Sequence, residues 1–463
     1  MPRFRLADWL VFAGVLLTLA SVGLLSSVIA DWEHVNGPRG MQKLTVHLDR
    51  SAVSSGTAGL ELKAAEQLAA KWSPLPVAYS AEGHTGASFD GVTVNSDVFG
   101  VSNNYRDFTS FPMKAGTFFT PTSVAEHSRV AVISTQAADK LFRSAQVIGK
   151  TIELYGVPFS VVGVYDNNVS LLRHMSDDGV PDLLIPVTAM FGVNREARID
   201  TLQLAAKPGT AAVNGEAQAA AALKAIGANP SPYRTQNDML SHVRIIQWRS
   251  LLLFLCGAAA LLLLLRLAVR QCAAVYTSLC RKLTALDWLD AIRSERRMLL
   301  LRGLAVLAVL ALAAGAAGLW GLIRFRLYVP LDWIPEQIID VSFYYEKLQR
   351  LWHQQAMQSG YVPSPQERLT SAAGQLAGYL FFAGTILGLP LLLLGVRLWT
   401  MSRVPVVLQL QRLFLHIPVT GAAAFAIARW AGMDYLIDPR EYAVCCLLYI
   451  AAVFHYNNLK GSE

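Results

Sequence analysis

Few side chains in this sequence are spaced for covalent chemistry. The nine histidines are dispersed. No His-Glu-x-x-His helix and no Gly-x-Ser-x-Gly turn occurs, so neither a zinc hydrolase nor a serine esterase can be built from neighbouring residues. His127 and His174 meet only if the fold brings them together, and each reads as an isolated surface imidazole. Asp177-Asp178 before Gly179 lacks the further oxygen ligands a hard cation requires and reads as a solvated loop. Ile148-Gly149-Lys150-Thr151 imitates the end of a nucleotide-binding loop. Ser144 stands where the first glycine is needed, and a strand rather than a helix is expected to follow. Cys445-Cys446 has no second thiolate pair or nearby imidazole and reads as apolar helix filler. The expectation is a chain that is not an enzyme, with no catalytic residue, metal site or cofactor of its own.

The residues that do recur at a useful spacing are apolar, basic or small. Leu279, Leu283, Leu286 and Ile292 fall at helical spacing with Trp288 and Leu289 beside them, while Arg281, Lys282, Arg293, Arg296 and Arg297 lie mostly elsewhere on the surface. Such an amphipathic helix either rests on anionic lipid headgroups or docks a cytoplasmic partner. Gly315, Gly318 and Gly321 form a small-residue face, and Gly374, Gly378, Gly384 and Gly388 punctuate a later run. Small residues let helices approach closely in lipid, either within one subunit or across a homodimer seam.

These residues lie in and between long apolar runs. Runs occupy about Trp9 to Ala30, Leu251–Leu265, Gly303–Ile323 and Ala372–Val396, each near the ~20 residues a helix needs to cross ~30 Å of hydrocarbon. Over 463 residues, 53% hydrophobic and 16% charged composition with a mean hydropathy of +0.37 describes a polytopic membrane protein with one large extramembrane domain rather than a soluble enzyme. The first run is long for a signal peptide and has a weak cleavage pattern, so it reads as an uncleaved anchor. The net charge of +7 does not indicate nucleic acid, because the basic residues crowd the edges of the apolar runs. Arg3 and Arg5 precede the first run; Arg266, Arg270, Arg281, Lys282, Arg293, Arg296, Arg297 and Arg302 fall between the second and third, and Arg397, Arg403 and Arg412 follow the fourth. The positive-inside rule then puts the N-terminus and the loop near 270–302 in the cytoplasm, and residues 31–247 outside. None of Cys256, Cys272, Cys280, Cys445 and Cys446 lies in that outer domain, which must cohere through its own core.

The outer domain reads as α+β. Lys43–Leu48 alternates like a strand, Leu60–Trp72 has helical spacing, and Val77-Ala78-Tyr79 is extended after Ser73-Pro74-Leu75-Pro76. A second set follows much later: a strand at Thr201–Ala205, an Ala-rich helix at Gly215–Ile226, and a Pro-punctuated stretch from Asn229 to Pro232. These ends flank a strand-rich insertion at about Gly91–Phe191. There Val130–Ile133 is a buried strand, Thr135–Phe142 a helix, and Thr151–Leu154 with Phe159–Val164 a hairpin around Tyr155-Gly156-Val157-Pro158. From Gln236 to Leu265 no proline or glycine occurs before Gly257, so the second membrane helix is expected to begin as a stalk. Residues 324–370 form a second outer segment whose Val341–Gln358 stretch, rich in Trp and Tyr, reads as a helix along the membrane surface. Leu413–Ala428 and Tyr442–Phe454 are short apolar stretches, read here as a C-terminal hairpin of two crossings, with interfacial or re-entrant helices as the other arrangement.

A resemblance now adds to this reading. Val130-Ala-Val-Ile-Ser-Thr-Gln-Ala-Ala-Asp-Lys-Leu-Phe142, Val147-Ile-Gly-Lys-Thr-Ile152 and Val157-Pro-Phe-Ser-Val-Val-Gly-Val164, preceded by Phe111-Pro-Met-Lys-Ala-Gly-Thr-Phe-Phe119, resemble the extracytoplasmic core domain of MacB-like ABC transporter permeases. Arg281-Lys-Leu-Thr-Ala-Leu-Asp-Trp-Leu-Asp-Ala-Ile-Arg293 is similar to a degenerate FtsX-type cytoplasmic coupling segment. The resemblance implies four core transmembrane helices, to which the C-terminal hairpin is added. It implies an outer domain of two lobes, one from about 38–95 and 198–240 and an inserted one of about 96–197. It also implies a bacterial inner-membrane location, a cytoplasmic P-loop ATPase that holds the ATP and Mg, and a second permease copy, identical or paralogous. A periplasmic adaptor or lipoprotein, membrane lipids and a mechanotransmission role in export or envelope-protein handling complete the expectation. On this resemblance Leu283, Leu286, Trp288, Ile292 and Arg293 contact the ATPase. The sequence departs from the pattern at Asp287, where glycine is usual after Ala285-Leu286, and at Arg302, where an acidic residue is common. A membrane scaffold or sensor that kept the fold without the motor is the other reading.

Overall fold

The computed structural model describes residues 6–460 apart from 51–58, 145, 168–169, 178, 207–210, 284–287, 289–292, 294–295, 323–327, 330–332, 336–339, 358–360, 362 and 437. It divides into two units, one of Ile29–Ile245 with Tyr328–Gly374, the other of Met1–Val28, Ile246–Leu327 and Gln375–Glu463.

Helix α1 (Leu6–Val35) leads into the sheet unit. There β1 (Lys43–Leu48), α2 (Leu62–Trp72), β2 (Val77–Phe89), β3 (Val92–Val101), α3 (Tyr105–Phe108), β4 (Met113–Gly116), α4 (Pro121–Ala125), β5 (Val130–Ser134) and α5 (Thr135–Phe142) follow in turn. Next come β6 (Thr151–Leu154), β7 (Val157–Tyr165), α6 (Leu171–Ser176), β8 (Asp182–Pro186), α7 (Val187–Val193), β9 (Thr201–Ala205), α8 (Ala211–Ala225) and β10 (Tyr233–Asn237). All ten strands form one sheet in the order β10-β1-β9-β2-β3-β8-β5-β7-β4, with β6 pairing β2 and β7. The α+β class expected of this region is therefore present, and β1, α5, β6 and β9 have the bounds read from the sequence.

Two turns differ from expectation. β6 and β7 are joined by Tyr155-Gly156 alone, both at positive φ (52° and 76°), so the strand already begins at Val157. β2 runs on ten residues past Tyr79 and pairs antiparallel with β3 from Ser80↔Val101 to Phe89↔Val92. Asp90 and Gly91, at φ 48° and 80°, close that hairpin. Two successive positive φ values match the right-handed twist of the flanking strands, which is why Asp-Gly suits the position. The hairpin carries the sheet from the strands at the domain's ends into those of the insertion. In-strand Gly83 and Gly100 make room for Met190 of α7: a Cβ on either would stand 2.6 Å from a Met190 side-chain atom. The core on that face joins Leu68 and Trp72 of α2, Leu223 of α8 and Leu141 of α5 to Val46, Val98, Ile133 and Ile185 of the sheet. Side-chain oxygens of Ser134 and Thr120 accept the backbone N–H groups of Ala137 and Ser123, which starts α5 and α4 where the sequence supplies a hydroxyl.

The remaining helices are α9 (Asp238–Leu283), α10 (Arg296–Leu322), α11 (Val341–Met357), α12 (Pro365–Phe382), α13 (Leu389–Met401), α14 (Val406–Trp430) and α15 (Pro439–Lys460). Among the described residues, helices spanning Leu6–Val35, Asp238–Thr277, Arg296–Gly318, Pro365–Met401 and Val406–Trp430 are long and apolar enough to cross a bilayer. α9 is one unbroken helix of 46 residues, as the absence of early breakers suggested. Between α12 and α13, Ala383–Gly388 is a π-helical segment. Pro390 has no N–H to give to the Ile386 carbonyl and its ring crowds that turn, which is a recognised cause of local widening.

Within the helical unit α1 lies against the π-helical segment and α13 through glycines. A Cβ on Gly14 would stand 2.5 Å from the Leu392 backbone nitrogen, one on Gly395 2.7 Å from Val11, one on Gly388 2.9 Å from Thr18, and one on Gly384 2.9 Å from Ser21. Polar ties reinforce this crossing. Trp399 Nε1 donates to Asp8 Oδ1 at 2.8 Å, Arg412 pairs with the same carboxylate, and Thr18 and Tyr449 share a hydroxyl hydrogen bond of 2.5 Å. Arg249 of α9 pairs with Glu441 of α15. Because Asp8 is almost fully buried, Asp8→Ala is expected to lower the stability of the full chain in detergent by about 3–5 kcal/mol, the usual cost of stranding one partner of a buried pair. Thermal melting of the variant checks it.

Candidate functional site at the helix roots

Three apolar helices have their roots inside the sheet unit: residues 29–35 of α1, 238–245 of α9 and 365–374 of α12. β10 passes into α9 with no intervening loop, and the Asn237 side chain accepts the Leu240 N–H at 3.1 Å as an N-cap. Asp238, the first residue of α9, accepts from Thr45 Oγ1 of β1 at 2.6 Å and from Gln236. Gln236 Nε2 also donates to Thr370 Oγ1 of α12 at 2.8 Å, and Gln366 Nε2 donates to Thr109 Oγ1 at 3.1 Å. α1 joins through the Ser110 N–H, which donates to the Val35 carbonyl at 3.0 Å, and through Glu33, which meets His242 of α9 at 2.5 Å. Each root is thus held by directional hydrogen bonds, buried at Thr45–Asp238 and part-buried at the two ties to α12.

At the centre of this network Lys43 of β1 is completely buried, its Nζ donating to the Phe108 carbonyl at 2.6 Å and to Gln366 Oε1 at 3.5 Å. Burial lowers its pKa from the ordinary 10.5 to about 8, the nearby Asp238 charge offsetting part of that. The folded chain therefore releases this proton before the unfolded chain does. Stability from this group rises as pH climbs from about 8 to 10.5, by about 3 kcal/mol at the limit. In Lys43→Met the gain is absent, so the stability of the variant relative to wild type is expected to fall by that amount over the same window. Paired melting curves of the full chain across that range check it.

The residues expected from sequence to meet an ATPase lie elsewhere. Leu283 ends α9 with 49% of its surface exposed, Trp288 is 64% exposed and Arg293 is exposed, while Leu286 and Ile292 fall outside the described residues. Gly315, Gly318 and Gly321 are exposed on α10, and nothing lies within 4 Å of a Cβ placed on any of them. The close glycine crossing is the one at Gly14, Gly384, Gly388 and Gly395. Lys150 of the phosphate-loop imitation stands over the rings of Phe89 and Phe142, 5.5 and 5.1 Å from their centroids. His127 faces the Thr188 carbonyl at 3.4 Å, and Asp177 accepts the Gly179 N–H at 3.0 Å; Asp178 lies outside the described residues.

One group that sequence spacing did not bring out is Glu82, His84 and Asp97, whose ligand-type atoms lie within 4.8 Å of one another on one face of the β2–β3 hairpin. His84 Nδ1 meets Asp97 Oδ1 at 2.5 Å, and Arg50 bridges Glu82 and Asp200 at 3.3 and 3.0 Å. Burial, then the neighbouring Asp200 charge, pushes the Glu82 carboxyl upward. A divalent ion would have to displace both the His84–Asp97 hydrogen bond and Arg50, so the arrangement is a cross-strand polar network. His84 is 63% exposed, and His84→Ala is expected to change stability by no more than about 1 kcal/mol in a urea melt. Asp97 also borders a cavity of about 130 Å³ walled by Phe99, Tyr105, Phe111 and Tyr165, with Arg173 and Asp182 among its polar groups.

The comparisons with known proteins fall on this same region. Residues 10–225 match the model of the MacB-like periplasmic core domain. Over those residues the chain carries a MacB-like periplasmic core domain. Of its relatives, the macrolide export ATP-binding/permease protein MacB of Syntrophobacter fumaroxidans is 26% identical over 124 residues, 27% of this chain and 17% of that protein. The uncharacterized ABC transporter permease YvrN of Bacillus subtilis is 31% identical over 90 residues, 19% of this chain and 22% of that protein. The chain therefore covers about a fifth of the length of these curated relatives. Among solved structures, the periplasmic region of MacB from Actinobacillus actinomycetemcomitans is similar with a TM-score of 0.36 and 17% identity, covering 42% of this chain and 89% of that one. The extracellular domain of the transporter YknZ from Gram-positive bacteria gives 0.34 and 17%, covering 42% and 100%. With a MacB-like core domain and helices long and apolar enough to cross a bilayer, the chain has the build of a multi-pass membrane protein.

Proposed function

We propose that this chain is the permease subunit of a MacB/FtsX-type ABC complex, in which ATP hydrolysed by a separate cytoplasmic ATPase moves the extracytoplasmic domain for export or envelope-protein handling. The observation that carries the reading is α9. It begins directly after β10, the last strand of the sheet, and continues as one helix of 46 residues to Leu283, at the edge of the Arg-rich loop. A rigid helix converts a push at one end into displacement at the other, and the polar roots at Asp238, Thr45, Gln236 and Thr370 keep that displacement from dissipating. In this reading the N-terminus and the loop around 281–297 are cytoplasmic, α14 and α15 form a hairpin beside the four core crossings, and the Gly315, Gly318 and Gly321 face meets a second permease copy.

A scaffold or sensor without motor coupling is favoured by one observation, the altered coupling segment with Asp287 after Leu286 and Arg302 beyond it. Charge reversal separates the two. With Arg293, Arg296 and Arg297 all changed to Glu, mechanotransmission predicts loss of ATP-dependent activity in proteoliposomes. Unchanged activity would favour the scaffold and sink the motor.

A further inference from the structure

Helix α11, which lies between the candidate spans Arg296–Gly318 and Pro365–Met401, leaves an entire apolar face uncovered. Val341 is 75% exposed, Tyr345 69%, Leu348 58% and Trp352 78%. At 100° per residue these four fall within about 60° of one another, with the exposed Tyr344 and Leu351 completing an arc of about 120°. The opposite side carries Glu346, Arg350 and His353, the first two ion-paired at 3.1 Å. Lys347 reaches the Trp333 ring at 6.0 Å, and Phe343, half-buried, stacks edge-on against Tyr344. A lone helix of 17 residues is marginal in water unless its apolar face is covered.

We infer that α11 lies in the headgroup layer of the outer leaflet, with Val341, Tyr345, Leu348 and Trp352 turned toward the acyl chains. Three features select lipid as the occupant. The exposed face combines Tyr and Trp with aliphatic residues, the mixture that settles at the boundary between hydrocarbon and headgroups. The polar side has more cation than anion, through Lys347 and Arg350 against Glu346, which complements anionic headgroups. The helix is also tethered at both ends to apolar helices, and only seven residues separate Met357 from Pro365, a reach of about 25 Å when extended. Seated this way, α11 ties the second outer segment, and with it the unit to which it belongs, to the bilayer surface, and the inference does not depend on the motor reading.

The test uses the full chain with Cys272→Ala, Cys280→Ala and Cys446→Ala, since these are its non-buried thiols. A single environment-sensitive fluorophore is attached at Leu348→Cys or, as the opposite-face control, at Arg350→Cys. Each is reconstituted in vesicles of phosphatidylethanolamine and phosphatidylglycerol with or without acyl-chain spin-labelled lipid. Quenching several-fold greater at 348 than at 350, with a blue-shifted emission, is expected. Equal quenching at the two sites overturns the inference. So does a blue shift at 348 that persists without lipid quenching, because a protein surface would then cover the face. Cysteine cross-linking of Leu348→Cys between two copies in the same vesicles likewise overturns it in favour of a homodimer contact.

Discussion

Gly14→Leu is expected to unfold the helical unit or to lower its melting temperature far more than any glycine change on α10. The Cβ position at Gly14 is 2.5 Å from the Leu392 backbone nitrogen and 2.7 Å from its Cα, so no side-chain rotation relieves the clash. The helices must separate, and three further close approaches, at Gly395, Gly388 and Gly384, loosen with them. Overpacking in a well-packed interior costs about 1–3 kcal/mol, and a backbone collision belongs at or above the top of that range. In lipid, helix association rests on close packing and interhelical hydrogen bonds, so the Trp399 and Arg412 contacts to Asp8 are at risk in the same variant. Gly318→Leu is the contrast, since nothing lies within 4 Å of its Cβ position. It is expected to stay within about 0.5 kcal/mol of wild type while weakening any seam between two copies. Fluorescence-detected melting and size-exclusion profiles of both variants measure the two effects.

Trp288→Asp is expected to release the ATPase without unfolding the chain. In the proposed complex Leu283, the last residue of α9, and Trp288 beyond it face the ATPase, and they are 49% and 64% exposed. A buried tryptophan anchor commonly contributes about 2–4 kcal/mol to an interface, so affinity is expected to fall roughly thirty-fold or more. Leu283→Asp acts in the same direction. The melting temperature of each variant stays at the wild-type value, which separates lost docking from lost folding. If the loop instead rests on lipid, both variants retain the ATPase.

Much of the sheet unit was legible because local signals agree there. Val130–Ile133 is a short β-branched run, the Ser134 hydroxyl then caps the following helix, and Thr151–Leu154 meets its partner across a two-residue turn. The β2–β3 hairpin escaped notice because Gly83, His84, Thr85 and Gly86 interrupt any clean alternation. Asp90-Gly91 was the signal that could have found it. The helix roots were illegible for a different reason. A lysine in a strand is ordinarily solvent-facing, and Lys43 is buried only because Phe108 and Gln366, 65 and 323 residues away, supply its acceptors. The glycine crossing depends likewise on pairs such as Gly14 and Leu392, whose proximity no local pattern encodes, whereas the conspicuous glycines at 315, 318 and 321 face outward.

In the proposed complex the motor is a separate protein, and purification of the tagged full chain from its own membranes tests this most directly. A P-loop ATPase recovered in stoichiometric amount, and lost with Trp288→Asp, is the predicted result. An intact, functional complex that contains no such ATPase would contradict it.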